Sequence, residues 1–339
     1  MKQLTLSFIF LIALVSASDA AVLTVSNNAN SPGQYTGLQA AITAASDGDS
    51  IYISGSTSGY GAISINKSLT LIGTGYNPAK QIPLVSIIGN ISLDTVNSVS
   101  GASGTKLIGL NMSTLYDNYG AKHITLERNY CSSSLNLASA SSYYIIRNNF
   151  LTQTSTLNNA SNVLFENNIG SNTSINLSNQ NSVIINHNVF LAPLGSNQYC
   201  MSQVSSAIIT NNIFWGTSPM NSNVIGNTFN NNLTYQTINN TLPGASNTGT
   251  GNLPGVNPQF VNAPNPVIDF SYDYNVSAAS PAHNAGTDGT DLGVFGGASS
   301  MPDLTGMPAI PQVYQMNINT PVIPPGGSLD VDFKARKNN

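Results

Sequence analysis

Ile87-Ile88-Gly89-Asn90, Ile108-Gly109-Leu110-Asn111, Leu126-Glu127-Arg128-Asn129, Ile146-Arg147-Asn148-Asn149, Phe165-Glu166-Asn167-Asn168, Ile185-Asn186-His187-Asn188, Ile209-Thr210-Asn211-Asn212 and Val224-Ile225-Gly226-Asn227 repeat one pattern, an asparagine closing a short apolar run. The asparagines follow one another at 21, 18, 20, 19, 20, 24 and 15 residues. A repeat this short holds two or three strands and no helix, so each unit buries its apolar face only by stacking on its neighbours. The fold expected is all-β, a right-handed parallel β-helix (solenoid). Asparagine suits the sharp turn of each coil because it tolerates the left-handed backbone region. Stacked at about 4.8 Å, successive asparagines can bond one another and the turn backbone, forming a ladder. The residues three and five before each, such as Ile124 and Leu126, Val163 and Phe165, or Val183 and Ile185, are mostly apolar and alternate into the core.

Met1 to about Ala17 carries Lys2, an apolar stretch from Leu4 to Val15 and small residues at two candidate cleavage points. That is the form of a secretory signal peptide, so residues 1–20 are expected to be removed and the mature chain exported to the extracellular space, cell surface or periplasm. No later segment is long and apolar enough to suggest a membrane span. Charged residues are only 7% of the chain and the net charge is −4, a balance that argues against nucleic-acid binding. Cys131 and Cys200 lie about three coils apart, too far for a disulfide, so two free, inward-facing thiols are expected. A monomer is expected.

Leu38, Ala41, Ile42 and Ala45 mark one helical face between Thr36 and Ser46, with Thr36 as N-cap. This short N-terminal capping helix would cover the open end of the first coil. Strands follow at Ser50–Ile53, Ala62–Ile65 and Ser68–Ile72. Between Thr237 and Pro266 the pattern fades into an excursion loop, and short strands resume from Val267 through Asp291–Gly296. The β-helix is therefore read over 21–298. Residues 299–339, with six prolines and an alternating terminal strand, are read as an extension that covers or flanks the last coil.

Several of these motifs together carry a resemblance: Leu38-Gln39-Ala40-Ala41-Ile42, Asp47-Gly48-Asp49-Ser50-Ile51-Tyr52-Ile53, Lys67-Ser68-Leu69-Thr70-Leu71-Ile72-Gly73, the asparagine ladder, and the closing Ser280-Pro281-Ala282, Ala285-Gly286-Thr287-Asp288 and Asp291-Leu292-Gly293-Val294-Phe295-Gly296. Over roughly Val22 to Gly297 the chain resembles secreted bacterial right-handed parallel β-helix proteins of the pectin lyase-like superfamily. That superfamily holds polysaccharide lyases, glycoside hydrolases and adhesins, so the resemblance implies a fold and a carbohydrate setting rather than one reaction. A lyase reading implies a Lys or Arg base on the outer wall, with a second cation or Ca²⁺ neutralising the sugar carboxylate.

The residues available for such chemistry are Lys122, His123, Glu127, Arg128, Arg147, Glu166 and His187. Glu127, Arg147 and Glu166 each stand two before a ladder asparagine and so form one outward column of alternating sign. In the catalytic reading Arg147 or Arg128 is the base or neutraliser, Glu127 and Glu166 bind Ca²⁺ or, with Lys122 and His187, the glycan. Otherwise no cofactor or metal is expected. The Asn-Lys-Ser and Arg-His-Gly tripeptides of the alginate and chondroitin lyase branch are missing. Asp117 is the only Asp between Thr95 and Asn265, too few for a hydrolase with paired carboxylates. Asp288-Gly289-Thr290-Asp291 reads as a turn closing the final coil. Tyr116, Tyr119, Tyr143, Tyr199 and Trp215 are candidates for stacking on sugar rings. The reading preferred on sequence is non-catalytic, a polysaccharide-binding or cell-surface structural and adhesive protein, with a polysaccharide lyase or related carbohydrate-active enzyme as the alternative.

Overall fold

The computed structural model describes residues 20–337 except 80–82, 97–98, 139, 154, 158–159, 172–174, 177–181, 197, 222, 245 and 321. Residues 1–19 of the expected signal peptide lie outside the described residues. Three parallel sheets run the length of a β-solenoid of about nine turns. The first has ten strands, from Val22–Val25 to Thr228–Asn230; the second nine, from Ile87–Ile88 to Leu253–Pro254; the third seven, from Ile63–Ile65 to Met201–Ser202. A complete coil contributes one short strand to each sheet, and successive coils pair in register. No described helix is long and apolar enough to cross a membrane.

Alternation in the first and third sheets places Ile124, Leu126, Val163, Phe165, Val183 and Ile185 in the interior, as their spacing requires. Phe165, Phe190 and Phe214 stack within the core at 6.2 and 5.2 Å between ring centres. Cys131 and Cys200 are free and buried, and burial pushes the Cys131 thiol up to about 12. Both therefore pack as small apolar groups.

The helix spans Leu38–Ala44 and buries Leu38, Ala41 and Ile42 against the first strands of the stack. Thr36 is not its cap: Gly37 occupies that position and offers no side-chain bond. The polar compensation lies at the other end. Lys67 Nζ donates to the carbonyls of Ile42, Thr43 and Ala45 at 3.1, 2.7 and 2.6 Å, placing a cation at the negative end of the helix.

The ladder differs in extent from the one expected. It runs Asn129, Asn149, Asn168, Asn188, Asn212, Asn232, Asn252, each Nδ2 donating to the next Oδ1 at 2.9–3.3 Å. Asn90 and Asn111 stand outside it, since Leu110 holds the position before Asn129. Asn227 belongs to another corner, where it bonds Asn247 at 3.1 Å. The left-handed residue of the ladder turn is one earlier than expected: Arg128, Asn148, Asn167, His187, Asn211 and Asn231 all have φ between 50° and 61°. The coils also persist past Thr237, since Leu253–Pro254 still pairs with Leu233–Tyr235.

The second sheet is buried on both faces, as in Val189–Leu191 and Ile213–Trp215. Its outer residues Phe150, Ile169, Val189, Ile213 and Leu233 form a second apolar core with Tyr274, Val276, Leu292, Val294 and Met301. The C-terminal part of the chain thus leaves the stack and returns along its flank. Residues 267–298 contain one strand, Asp273–Val276, paired antiparallel with Phe260–Asn262, rather than further coils. Asp291–Gly296 reads as a strand by alternation but folds as turns, because Gly296 and Gly297 press on the His187 ring, where a Cβ would come within 2.7–2.8 Å. The extension likewise reaches early coils rather than the last one: Tyr76 and Asn77 amides donate to the Thr305 carbonyl at 3.1 and 3.2 Å.

Candidate functional site

The charged column exists in register. Glu127 pairs with Arg147 and Arg147 with Glu166 across adjacent strands of the first sheet. It is not, however, an open array of charges. Among the described residues its ion pairs converge on Glu127, whose Oε2 lies 2.9 Å from Arg147 Nη2 and whose Oε1 lies 3.5 Å from Arg128 Nε. Glu166, expected to point outward, is buried beside the corner at which Asn167 holds the returning chain. With a guanidinium on each oxygen, Glu127 has no free pair of oxygens for a cation. The described residues hold no group of three or more His, Cys, Asp or Glu side chains suited to a metal.

Arg128 and His187 are fastenings for that returning segment. Both occupy the left-handed column, which faces it along its length. Arg128 Nη1 donates to the Met307 carbonyl at 2.7 Å, and Asn167 Nδ2 to those of Val294 and Gly296 at 2.9 and 2.8 Å. His187 is fully buried, with Nε2 3.2 Å from Asp288 Oδ2 and 3.1 Å from Asn211 Nδ2. Asn231 Nδ2 reaches the Ala285 carbonyl at 2.8 Å. The Asp288–Asp291 turn therefore rests on the flank of the stack rather than closing its end. Partial burial pushes Asp288 up, but bonds from the Thr290 hydroxyl and amide, with His187 beside it, outweigh this and hold its carboxyl below the usual range. What it contributes to the fastening is present at neutral pH and is lost as pH falls through that depressed pKa.

Among the candidates Lys122 remains exposed, and beside it the solvent-facing chemistry collects at the opposite corner, before the first sheet. His123 and Tyr143 have φ of 57° and 58° and stack their rings at 4.7 Å with an interplanar angle of 7°. The same corner position in other coils is held by Gly104, Asn162, Ser182, Ser206 and Gly226. Aromatic side chains in the left-handed region cost about 1 kcal/mol. Histidine tolerates this region, so Tyr143 is the unusual occupant of a column otherwise held by Gly, Asn, Ser and His123. Tyr143 is 50% exposed and Tyr119, in the loop leading to the corner, 55%; Lys122 and His123 are exposed as well. Trp215, in contrast, is buried and its indole N–H donates to Gln236 Oε1.

Asp117 anchors this corner from below. Its buried carboxylate accepts the Tyr119, Gly120 and Ala121 amides at 2.9–3.2 Å, the Tyr144 hydroxyl at 2.8 Å and the Ser141 hydroxyl. His123 and Tyr143 share one register, each six residues before a ladder asparagine, a relation that the apolar pattern does not single out.

No protein-family model and no curated protein sequence matches the chain. Solved structures similar to it include XylC in complex with xylose (11% identity, TM-score 0.39, covering 60% of this chain), pectate lyase Pel9A (14%, 0.37, 86% of this chain and 96% of that one) and the pectin methylesterase from Aspergillus niger (15%, 0.36, 69% and 87%). The chain spans 44% of the length of XylC.

Proposed function

We propose that this protein is an exported, non-catalytic polysaccharide-binding protein, with the Tyr143–His123 platform as its sugar-stacking surface and Lys122 as the cation that favours acidic sugars. The observation that carries the reading is the exposed aromatic pair stacked on adjacent coils, with Tyr143 held in a backbone region that tyrosine does not favour. Stacked face to face one coil apart, the two rings each keep an outer face and an exposed edge on which a pyranose ring can pack, and a neighbouring ammonium attracts a sugar carboxylate. The alternative, a polysaccharide lyase, assigns the base or neutraliser to Arg147 or Arg128. Arg147 and Arg128 already bond Glu127 and the Met307 carbonyl.

The test is a panel of uronate and neutral polysaccharides, followed by calorimetry for binding and by absorbance for unsaturated products. Tyr143→Asn is the informative variant, because Asn162 fills the same corner one coil on. It should lower affinity by about tenfold, the equivalent of one stacking contact of about 1.4 kcal/mol, while the melting temperature holds or rises. An unchanged affinity for every glycan that the parent protein binds would remove the platform from the account. Arg147→Ala should reduce stability by about 1 kcal/mol or less, since the pair is partly exposed, and leave binding within about twofold. Release of unsaturated product that disappears in Arg147→Ala, with an unchanged circular dichroism spectrum, would put the lyase reading first.

A further inference from the structure

Beyond the coils the chain ends in an antiparallel hairpin of Pro311–Ile318 with Val331–Lys337, a two-stranded sheet on its own. Its register sets Met316 opposite Phe333 and Ile318 opposite Val331 on one face, and Gln315 opposite Lys334 and Asn317 opposite Asp332 on the other. The ribbon is therefore amphipathic, yet Met316 is 65% and Phe333 66% exposed. Two strands with an uncovered apolar face are marginal in water, and three or more are needed for independent stability.

The two edges of the hairpin differ. The first strand starts at a proline, which has no N–H to offer, and is interrupted by a register shift between Val313 and Gln315; both features blunt an edge. The second strand has neither, and its outer edge is unpaired. Its sequence, Asp330-Val331-Asp332-Phe333-Lys334-Ala335-Arg336, is self-complementary when read against itself in reverse. Centred on Phe333, an antiparallel pair of two such strands places Asp332 opposite Lys334 twice, Asp330 opposite Arg336 twice, Val331 opposite Ala335 twice, and Phe333 opposite itself. Because side chains alternate with period two, only shifts by an even number of residues keep the apolar faces together. Moving the centre by one residue either way sets Asp332 against Asp332 or Lys334 against Lys334, and like charges directly opposite are destabilising.

We infer that this strand is a dimerisation edge, pairing antiparallel about Phe333 with the same strand of a second copy to give a four-stranded sheet with two-fold symmetry. The pairing satisfies the edge amides and carbonyls of both chains. It joins the apolar residues of the two ribbons into one stripe and places every facing charge beside its opposite. This goes beyond the glycan-binding reading and does not depend on it, and it replaces the monomer expected from sequence.

Sedimentation equilibrium on the purified chain, across the micromolar range, should give twice the chain mass at the upper end. Asp332→Lys and Lys334→Asp should each sediment as monomers, because each creates two like-charge pairs at the centre. Mixed one to one, the two variants should form a heterodimer, since every facing pair is then of opposite sign, and the double swap D332K/K334D should dimerise as the parent does. Far-ultraviolet circular dichroism of the coil stack should be the same for all four proteins. A parent that stays monomeric, single variants that still dimerise, or a mixture that stays monomeric would each overturn the proposal.

Discussion

Asn168→Ala is expected to lower stability by about 3–5 kcal/mol, more than an ordinary buried polar truncation. Four hydrogen bonds end on this side chain. Its Oδ1 accepts the Asn149 amide at 3.0 Å and Asn149 Nδ2 at 2.9 Å, and its Nδ2 donates to the Ile146 carbonyl at 2.8 Å and to Asn188 Oδ1 at 3.1 Å. The partners are buried, so the alanine leaves the Asn149 amide and the Asn149 side chain without water or protein to replace the lost bonds. Asn252, the last of the ladder, is part-exposed and bonds only on one side, so Asn252→Ala should cost about 1 kcal/mol. Equilibrium denaturation of both variants measures the difference. Equal, small losses at the two positions would mean that the ladder follows from the coil geometry and does not support it.

The ladder also shows how far the sequence could be read. From Asn129 to Asn212 each asparagine closes an apolar run whose alternate residues fill the core, and one register explains both facts. The register slipped at the next coil because two asparagine columns coexist there: Asn227 sits at the corner before the first sheet and Asn232 at the ladder corner after it. Counting from Asn212, the apolar run before Asn227 looked like the next turn, although Asn232 restores the spacing of twenty. The register of the charged column is legible in the sequence, and the burial of Glu166 is not. Register is set by neighbours one coil away, whereas Glu166 and His187 are buried beside or under a segment whose bonds come from more than a hundred residues along the chain. No local period records such a contact. The glycines that let Gly296 and Gly297 lie on the His187 ring were present in the sequence, but their spacing also suits a strand end. The stacking corner was hidden for the opposite reason, since exposed aromatics follow no apolar pattern, and only the coil register places His123 over Tyr143.

Removing the Asp117 carboxylate should have an effect as large as the ladder substitution and should reach the proposed glycan platform. The group is buried, and among the described residues five donors converge on it: three consecutive amides of the loop 119–121, and the hydroxyls of Ser141 and Tyr144 on the next coil. Burial, and then the Asp117 charge itself, raise the Tyr144 hydroxyl well above its ordinary pKa, so that donor is protonated at neutral pH. Asp117→Ala strands all five donors and should cost about 3–5 kcal/mol. Asp117→Asn keeps one acceptor oxygen for the loop amides and offers an NH₂ to hydroxyls that can rotate and accept, so its cost should fall to about 1–2 kcal/mol. Because these amides lead directly into Lys122 and His123, the alanine variant should lose hydrogen-exchange protection at Tyr119–Ala121 before the rest of the stack does, and bind glycan more weakly than its remaining folded fraction accounts for. Full protection of those amides in Asp117→Ala, together with stability within about 1 kcal/mol of the parent, would show that the corner is held by its backbone alone and that the aromatic pair owes its position to something other than this carboxylate.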